Sequence, residues 1–388
     1  MPVTSVSKEK ARWITVVFFF LSGIITATWA SRIPDIQKKL ALNDAQWGAV
    51  LFALPAGLIV GLPLSSWAVA KYGSRRMMVL TSISFAVILC LLGLSDSAWL
   101  LVITLFLFGV LRNATNISIN THSLEVQQLY EKPIISTFHG IWSLACFVAA
   151  GIGTIMIAAE IVPSSHFIII ACISIAGCLF YRSKKKDAQT SGSQKRPFFI
   201  MPNAHLFRLG LIAFCSMICE GTMFDWSVNY FHKVVQTTDE MATAGYTSFI
   251  IAMAVGRLAG DKLIALYGTS KMLIVDGIVM AAGFCLAIVF PYLIPACLGF
   301  LLVGIGDSIV IPIVYVLAGQ SKEMPAAYAI ASVTMVGYAG FLAGPPIVGA
   351  ISEHLGMQWA FALMALFSLG ITVMTILITK RAKKTAAI

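Results

Sequence analysis

The chain has 388 residues, of which 59% are hydrophobic and only 11% charged, and its mean hydropathy is +0.88. Soluble domains carry about 25% charged residues, so the composition excludes a soluble globule and marks an integral membrane protein. The net charge of +10 is carried by no folded nucleic-acid-binding module, and the membrane topology below accounts for it without a nucleic-acid partner.

Apolar runs of about 20 residues, the length a helix needs to cross a bilayer, recur along the chain, and the alternating pattern of barrel strands is missing. Six spans are predicted at 12–33, 46–69, 77–95, 98–121, 134–159 and 164–182, and six more at 206–232, 241–266, 271–290, 293–319, 325–351 and 357–379. The reading is an all-α membrane protein of about 12 transmembrane helices in two six-helix bundles with pseudo-two-fold symmetry. Residues 1–182 form the first bundle, 183–205 a basic cytoplasmic linker and 206–388 the second bundle. The few basic residues of 1–12 lead into an apolar run with no small-residue cleavage site, so the first helix is read as retained.

The first helix ends with Trp29, Arg32, Pro34 and Asp35. Arg32 is either a snorkelling residue at the extracellular edge or the cationic half of an outer gate. Pro55, Gly57, Gly61 and Pro63 let the second helix pack closely and bend. The fourth helix is the most polar, with Arg112, Asn113, Asn116 and Asn120 on one stripe and Glu125 after them. An amide in hydrocarbon needs a partner, so this stripe makes either interhelical hydrogen bonds or a wall for a hydroxylated substrate. The fifth helix opens with His139 and Trp142 one turn apart; the histidine either is satisfied by a neighbour or hydrogen-bonds a sugar-like ligand.

The seventh helix carries C-E-G-T-M-F-D-W-S-V-N-Y from Cys219 to Tyr230. A charge at the centre of a spanning helix costs roughly 2.5–3.5 kcal/mol on insertion scales, so Glu220 and Asp225 are the first candidates for proton handling. Five residues apart, they lie about 140° apart around the helix and cannot form a dyad. Thr222, Asp225, Trp226 and Asn229 share one face, the one assigned to substrate. The competing reading has both acids joining helices. Arg257 and Asp261 stand one turn apart on the eighth helix, where a local pair is expected, with a gating role as the alternative. In the eleventh helix, Gly337-Tyr338-Ala339-Gly340 and Gly344-Pro345-Pro346 suit a helix that bends beside a cavity.

Positively charged loops stay in the cytoplasm, and one side of the predicted topology holds 21 of the 27 Lys and Arg residues. Both termini and the linker are therefore expected in the cytoplasm. The eight cysteines lie in apolar spans without Cys-x-x-Cys spacing and read as small core hydrophobes, with no disulfide or metal role.

An offset of 195 residues places Gly61 on Gly256, Ala70–Ser74 on Ala265–Thr269 and Gly109 on Gly304. Such a repeat of six-helix halves is the arrangement of major facilitator transporters. The same offset sets Arg112 against Asp307, which reads either as a locking salt bridge across the pseudo-symmetry axis or as coincidence.

The loop Ser66-Trp67-Ala68-Val69-Ala70-Lys71-Tyr72-Gly73-Ser74-Arg75-Arg76 resembles the G-x-x-x-D-R-x-G-R-R loop of major facilitator proteins, with Ala70 where the family's latching acid stands. Together with E-G-x-M-x-D-W-S (Glu220–Ser227), F-H-x-x-x-S-L (Phe138–Leu144) and G-Y-x-G-x-L-x-G-P-P (Gly337–Pro346), the chain resembles the MosC/YbjJ-like branch of the major facilitator superfamily, distantly similar to fucose permeases. The resemblance covers essentially the whole chain. It implies a bacterial inner-membrane secondary transporter working by alternating access, with Glu220 and Asp225 handling protons and His139 and Tyr338 near the ligand. Gly151-Ile152-Gly153 stands where antiporters place Gly-Pro, which favours uptake.

The expected function is proton-coupled symport of a small polar solute, a sugar, polyol or derivative, by a monomer without cofactor. Arg112, Asn113, Asn116, His139, Trp142, Trp226, Asn229, Asp307 and Tyr338 are the substrate-binding candidates, and Arg32, Arg257 and Asp261 the gating ones. An efflux antiporter of an amphipathic compound and a non-transporting membrane receptor are the alternatives. No nucleophile, base and metal set and no phosphate-binding loop is spaced as an enzyme or ATP-driven pump requires.

Overall fold

The computed structural model describes residues 5–130, 134–181, 203–321 and 326–386, and these are helical with no strand. The elements are α1 (Ser5–Ser31), α2 (Ile33–Lys39), α3 (Asp44–Leu51), α4 (Ala53–Tyr72), α5 (Ser74–Leu94), α6 (Ala98–Gln127), α7 (Ile135–Ala158) and α8 (Pro163–Tyr181). After them come α9 (Ala204–Tyr230) with a π-helical turn at Phe231–Val235, α10 (Ala244–Tyr267), α11 (Thr269–Val289), α12 (Leu293–Asp307), α13 (Val310–Gly319), α14 (Ala326–Leu355) and α15 (Met357–Ala386). Among the described residues, eleven helices are long and apolar enough to cross a membrane, and Ala244–Gly260 is a shorter apolar stretch. The expected linker at 183–205 falls almost wholly outside the described residues.

Two compact units form. One comprises residues 1–41 and 53–196, the other 42–52 and 197–388. The expected second span is thus divided at Phe52, and α3 packs with the second unit. Asn43 and Gln46 close a reciprocal capping box at its start. Buried Asp44 then accepts from Lys233 and Ser352, and its own N–H donates to Glu353 at 2.9 Å. Gly48 lies so close to α14 that a Cβ there would sit 2.4 Å from the Pro345 carbonyl.

Helices in lipid gain little from hiding apolar surface, so they associate where small residues let backbones meet. The two units do this in the same way. A Cβ on Gly109 would stand 2.1 Å from the Leu54 carbonyl and 3.0 Å from the Leu58 nitrogen. On Gly304 it would stand 2.3 Å from the Phe249 carbonyl and 3.1 Å from the Met253 nitrogen. Every one of these partners is displaced by 195 residues. Gly61 against Val110 and Gly256 against Ile305 repeat the relation. Gly73 and Gly268, before α5 and α11, hold φ of 84° and 79° with ψ of 148° and 156°, a conformation reserved for glycine. The internal repeat read from the sequence is therefore a repeat of helix crossings.

The interior of the second unit is aromatic, with Tyr230 packed on Phe361 at 4.3 Å between ring centres and Phe300 stacked on Phe361 at 5.7 Å. Exposed side chains such as Ile155, Phe180, Leu258, Leu298 and Val373 are apolar, as lipid-facing positions require. The cysteines are free; Cys146, Cys178, Cys215 and Cys219 are buried as expected of core residues, whereas Cys172 and Cys285 are exposed on helix faces.

Where the family loop places an acid, this chain has Ala70, and a different residue meets the basic turn. Glu125 of α6 accepts from the Ser74 hydroxyl at 2.8 Å and lies 3.4 Å from His122. An anion beside the first residue of α5 also meets the positive end of that helix.

Arg32 is buried at 3% exposure, so it does not snorkel. Its guanidinium donates from Nε to His166 Nδ1 (3.2 Å), from Nη1 to Asp35 (2.8 Å) and from Nη2 to the Ile161 carbonyl (2.6 Å). Three acceptors in one plane match the guanidinium fork, which the single ammonium of lysine cannot reproduce.

Alanine at Gly109 or Gly304 should push the paired helices apart and lower stability by about 1–3 kcal/mol, read as an equal fall in melting temperature of the purified protein for the two sites. Arg32→Lys should cost about 1.5–3 kcal/mol through lost charged hydrogen bonds, again read by thermal unfolding. An unchanged melting temperature would remove the clamp role.

Candidate functional site

The polar interior of the second unit is built where three spanning helices meet. Asn203 starts α9 by accepting from the Leu206 N–H at 2.8 Å. The helix then runs unbroken through Ser216, Cys219 and Glu220. Across from it, α12 stops at Asp307. The cause is local. Pro312 has no N–H to give the Ser308 carbonyl four residues earlier, so that carbonyl is left without its helical donor. Arg257 of α10 supplies a replacement, from Nε at 3.4 Å, and its Nη2 lies 3.5 Å from Glu220 Oε1. A broken spanning helix is thereby joined to a partly open ion pair.

Asp307 at the break is 3% exposed. It draws its hydrogen bond from within its own unit, from the Ser216 hydroxyl to Oδ1 at 2.5 Å, while Oδ2 has no partner among the described residues. Glu220 and Arg257 are more open, with side chains 15% and 35% exposed. Beside them Gly221 admits the Phe341 ring, which in turn leans on Tyr338 at 6.2 Å between ring centres. A Glu–Arg pair, a second carboxylate with a free oxygen and a phenol rim can bind protons and hydrogen-bond a polar solute. Among the described residues no cluster of three or more His, Cys, Asp and Glu side chains is arranged to hold a metal.

The other candidate residues are distributed over both units. Asp225 is half-buried on α9. The face of α9 assigned to substrate is packed inside the bundle: Thr222 donates to the Ile218 carbonyl and touches Met364 of α15 at 3.2 Å, and Trp226 and Asn229 are 0% and 1% exposed. Arg257 reaches Glu220; the Asp261 side chain, its expected partner, lies outside the described residues. Tyr338 is half-buried.

In the first unit, Arg112 is half-buried, Asn113 is buried and Asn116 is exposed, accepting from Asn120 at 2.5 Å. His139 is exposed and meets the Phe19 ring edge-on at 5.3 Å; Trp142 is half-buried. Ser216, Ser308 and Pro312 were not singled out from the sequence. Pro312, five residues beyond Asp307 within an apolar span, carries the signal that would have found the break.

The profile of the Major Facilitator Superfamily matches residues 13–334 and 246–387. An uncharacterized MFS-type transporter of Yersinia pestis is 32% identical over 356 residues, 92% of each chain. The membrane protein MosC of Rhizobium meliloti is 28% identical over 92% of this chain and 86% of its own length. Among solved structures, a point mutant of the nucleoside transporter NupG superimposes with a TM-score of 0.77 at 14% identity, covering 96% of this chain and 99% of that one. A bacterial homologue of the human lysosomal transporter Spinster reaches 0.70 at 15% identity, covering 98% and 97%. These two likenesses establish the fold. The polar core described above therefore sits in an MFS-type transporter, a multi-pass membrane protein, and the chain belongs to the major facilitator superfamily.

Proposed function

We propose that the protein moves a small polar solute across the inner membrane by alternating access, coupled to protons in symport, with the group Glu220–Arg257–Asp307 as its coupling centre. The observation that supports this is the ion pair joined to a broken spanning helix, since charge within an apolar span is costly. Protonating Glu220 removes the anion that holds Arg257. The guanidinium, anchored on the carbonyl of Ser308 next to Asp307, is then free to turn toward that second acid. An exchange of partners of this kind gives two arrangements of one unit that differ in protonation, which is the differential binding that coupling requires. Asp225 is the other acid of the same helix and remains a proton-handling candidate.

The solute class follows from the groups that are open. The second unit offers Tyr338 beside the Glu220 pair, and the first offers Asn116, His139 and half-buried Trp142. Amide, imidazole, phenol and indole suit hydroxylated, ring-bearing molecules such as sugars, polyols and their derivatives. The NupG likeness adds nucleosides to the compounds worth presenting.

The experiment uses proteoliposomes with a lumenal pH dye and no imposed gradient, challenged with sugars, polyols, nucleosides and amphipathic drugs. Solute-driven lumenal acidification supports symport; alkalinisation would support the antiport reading, and binding without flux a receptor. With the active solute in hand, Glu220→Gln should abolish proton movement while the protein still expresses and binds solute. Asp225→Asn is measured alongside. Wild-type proton flux in both variants would overturn the coupling assignment.

A further inference from the structure

The spanning helices of the second unit hold a further buried acid, which the coupling centre leaves unused. Asp276 on α11 is 4% exposed, and its Oδ2 has no hydrogen-bond partner among the described residues. The internal repeat shows what this position demands. The residue 195 earlier is Thr81, equally buried at 4%, whose hydroxyl donates to the Met77 carbonyl one turn back at 2.8 Å. An ionised aspartate cannot make that bond, because it only accepts; a protonated aspartate carries the same O–H donor as threonine. The second unit has thus placed a group that needs a proton where the first has one with a proton built in.

The surroundings connect this acid to Asp307. A Cβ on Gly306, the residue before Asp307, would lie 2.6 Å from the Asp276 carbonyl, so α11 and α12 touch backbone to backbone at the two aspartates. Both acids keep an unpartnered Oδ2. Around Asp307 lie Glu220 and Cys219 of α9 and Arg257 of α10, while α15 brings the Ser368 hydroxyl to Cys219 and the Thr372 hydroxyl to the Ile274 carbonyl, two residues before Asp276. Arg257 is engaged with Glu220 and the Ser308 carbonyl. Asp276 and Asp307 are thus two buried acids on helices that touch backbone to backbone. In a low-dielectric interior two such anions are costly together.

We propose that Asp276 is a proton-binding site inside the second unit, linked to Asp307 across the α11–α12 crossing. This extends and rests on the proton-coupled reading. When the Asp307 carboxyl gives its proton to the Asp276 carboxylate, one acid and one anion remain, and no other reactant is consumed. Asp276 then holds the proton while Asp307 is free as an anion to receive the Ser216 hydroxyl and the Arg257 guanidinium.

The test is infrared spectroscopy of the purified full-length protein in lipid, titrated in H2O and D2O. A protonated-carboxyl C=O band is expected in the wild type, with one component lost in Asp276→Asn and retained in Asp276→Glu. In Asp307→Asn the pH at which that component disappears should move. A spectrum of Asp276→Asn that matches the wild type across the titration would overturn the site, and an unmoved component in Asp307→Asn would overturn the link. Should the variants fail to fold, the wild type is treated with a lipid-soluble carbodiimide, which traps protonated carboxyls, and mapped by mass spectrometry. An adduct at Asp276 whose yield falls as pH rises supports the proposal; none at any pH overturns it. Failure here is separable from failure of the transport reading. Loss of proton flux in Glu220→Gln without an Asp276 band removes only this site, whereas the band with intact flux in Glu220→Gln and Asp225→Asn removes only the coupling centre.

Discussion

A charge inside a spanning helix must find a partner within the protein, because hydrocarbon offers none. Arg32, buried just past the end of α1, meets the same requirement completely, with a histidine nitrogen, a carboxylate and a backbone carbonyl around one guanidinium. The acids of the second unit meet it only in part. Glu220 shares one arginine through a long contact, and Asp307 has one oxygen bonded and one free. Completeness rigidifies, and incompleteness leaves a group able to gain or lose a proton. The contrast separates residues that hold the fold from residues available for function.

The second constraint is the close approach of backbones. Gly109 and Gly304 allow the same crossing in each unit, and Gly73 and Gly268 make the same turn before the following helix. With the crossings preserved, side chains at matched positions occupy similar places in their bundles and can be compared directly. The comparison is informative where it fails. Arg112 is answered by Asp307 and Thr81 by Asp276, so the second unit has become acidic at positions where the first is basic or neutral. The repeated scaffold thus carries unequal charges at matched positions.

Interruptions of the helices are where the backbone itself becomes polar. Pro312 strips the Ser308 carbonyl of its donor, and Arg257 takes it. The carbonyl then holds the guanidinium within reach of Glu220, so a single missing N–H organises three functional groups. The acid missing from the loop at Ala70 is compensated in a similarly local way, by Glu125 reaching Ser74 from a neighbouring helix.

Much of this protein is determined by its sequence alone. The apolar runs set the number of helices because the bilayer fixes their length, the 195-residue offset revealed the repeated crossings because only glycine fits them, and the motif residues pointed to the family. Glu220 was legible as a candidate acid because charge is rare in such spans. Its partner was not. Spacing along one helix pointed Arg257 only toward Asp261, whereas packing of α10 on α9 brings it to Glu220. Arg32 looked like an edge residue until α8 covered it with His166. The face of α9 with Thr222, Trp226 and Asn229 looked open until α15 packed on it. Periodicity tells which residues share a face, whereas what that face meets depends on helices distant in sequence. Only the tertiary structure could therefore decide which charges are satisfied, which are shared and which are left waiting for a proton.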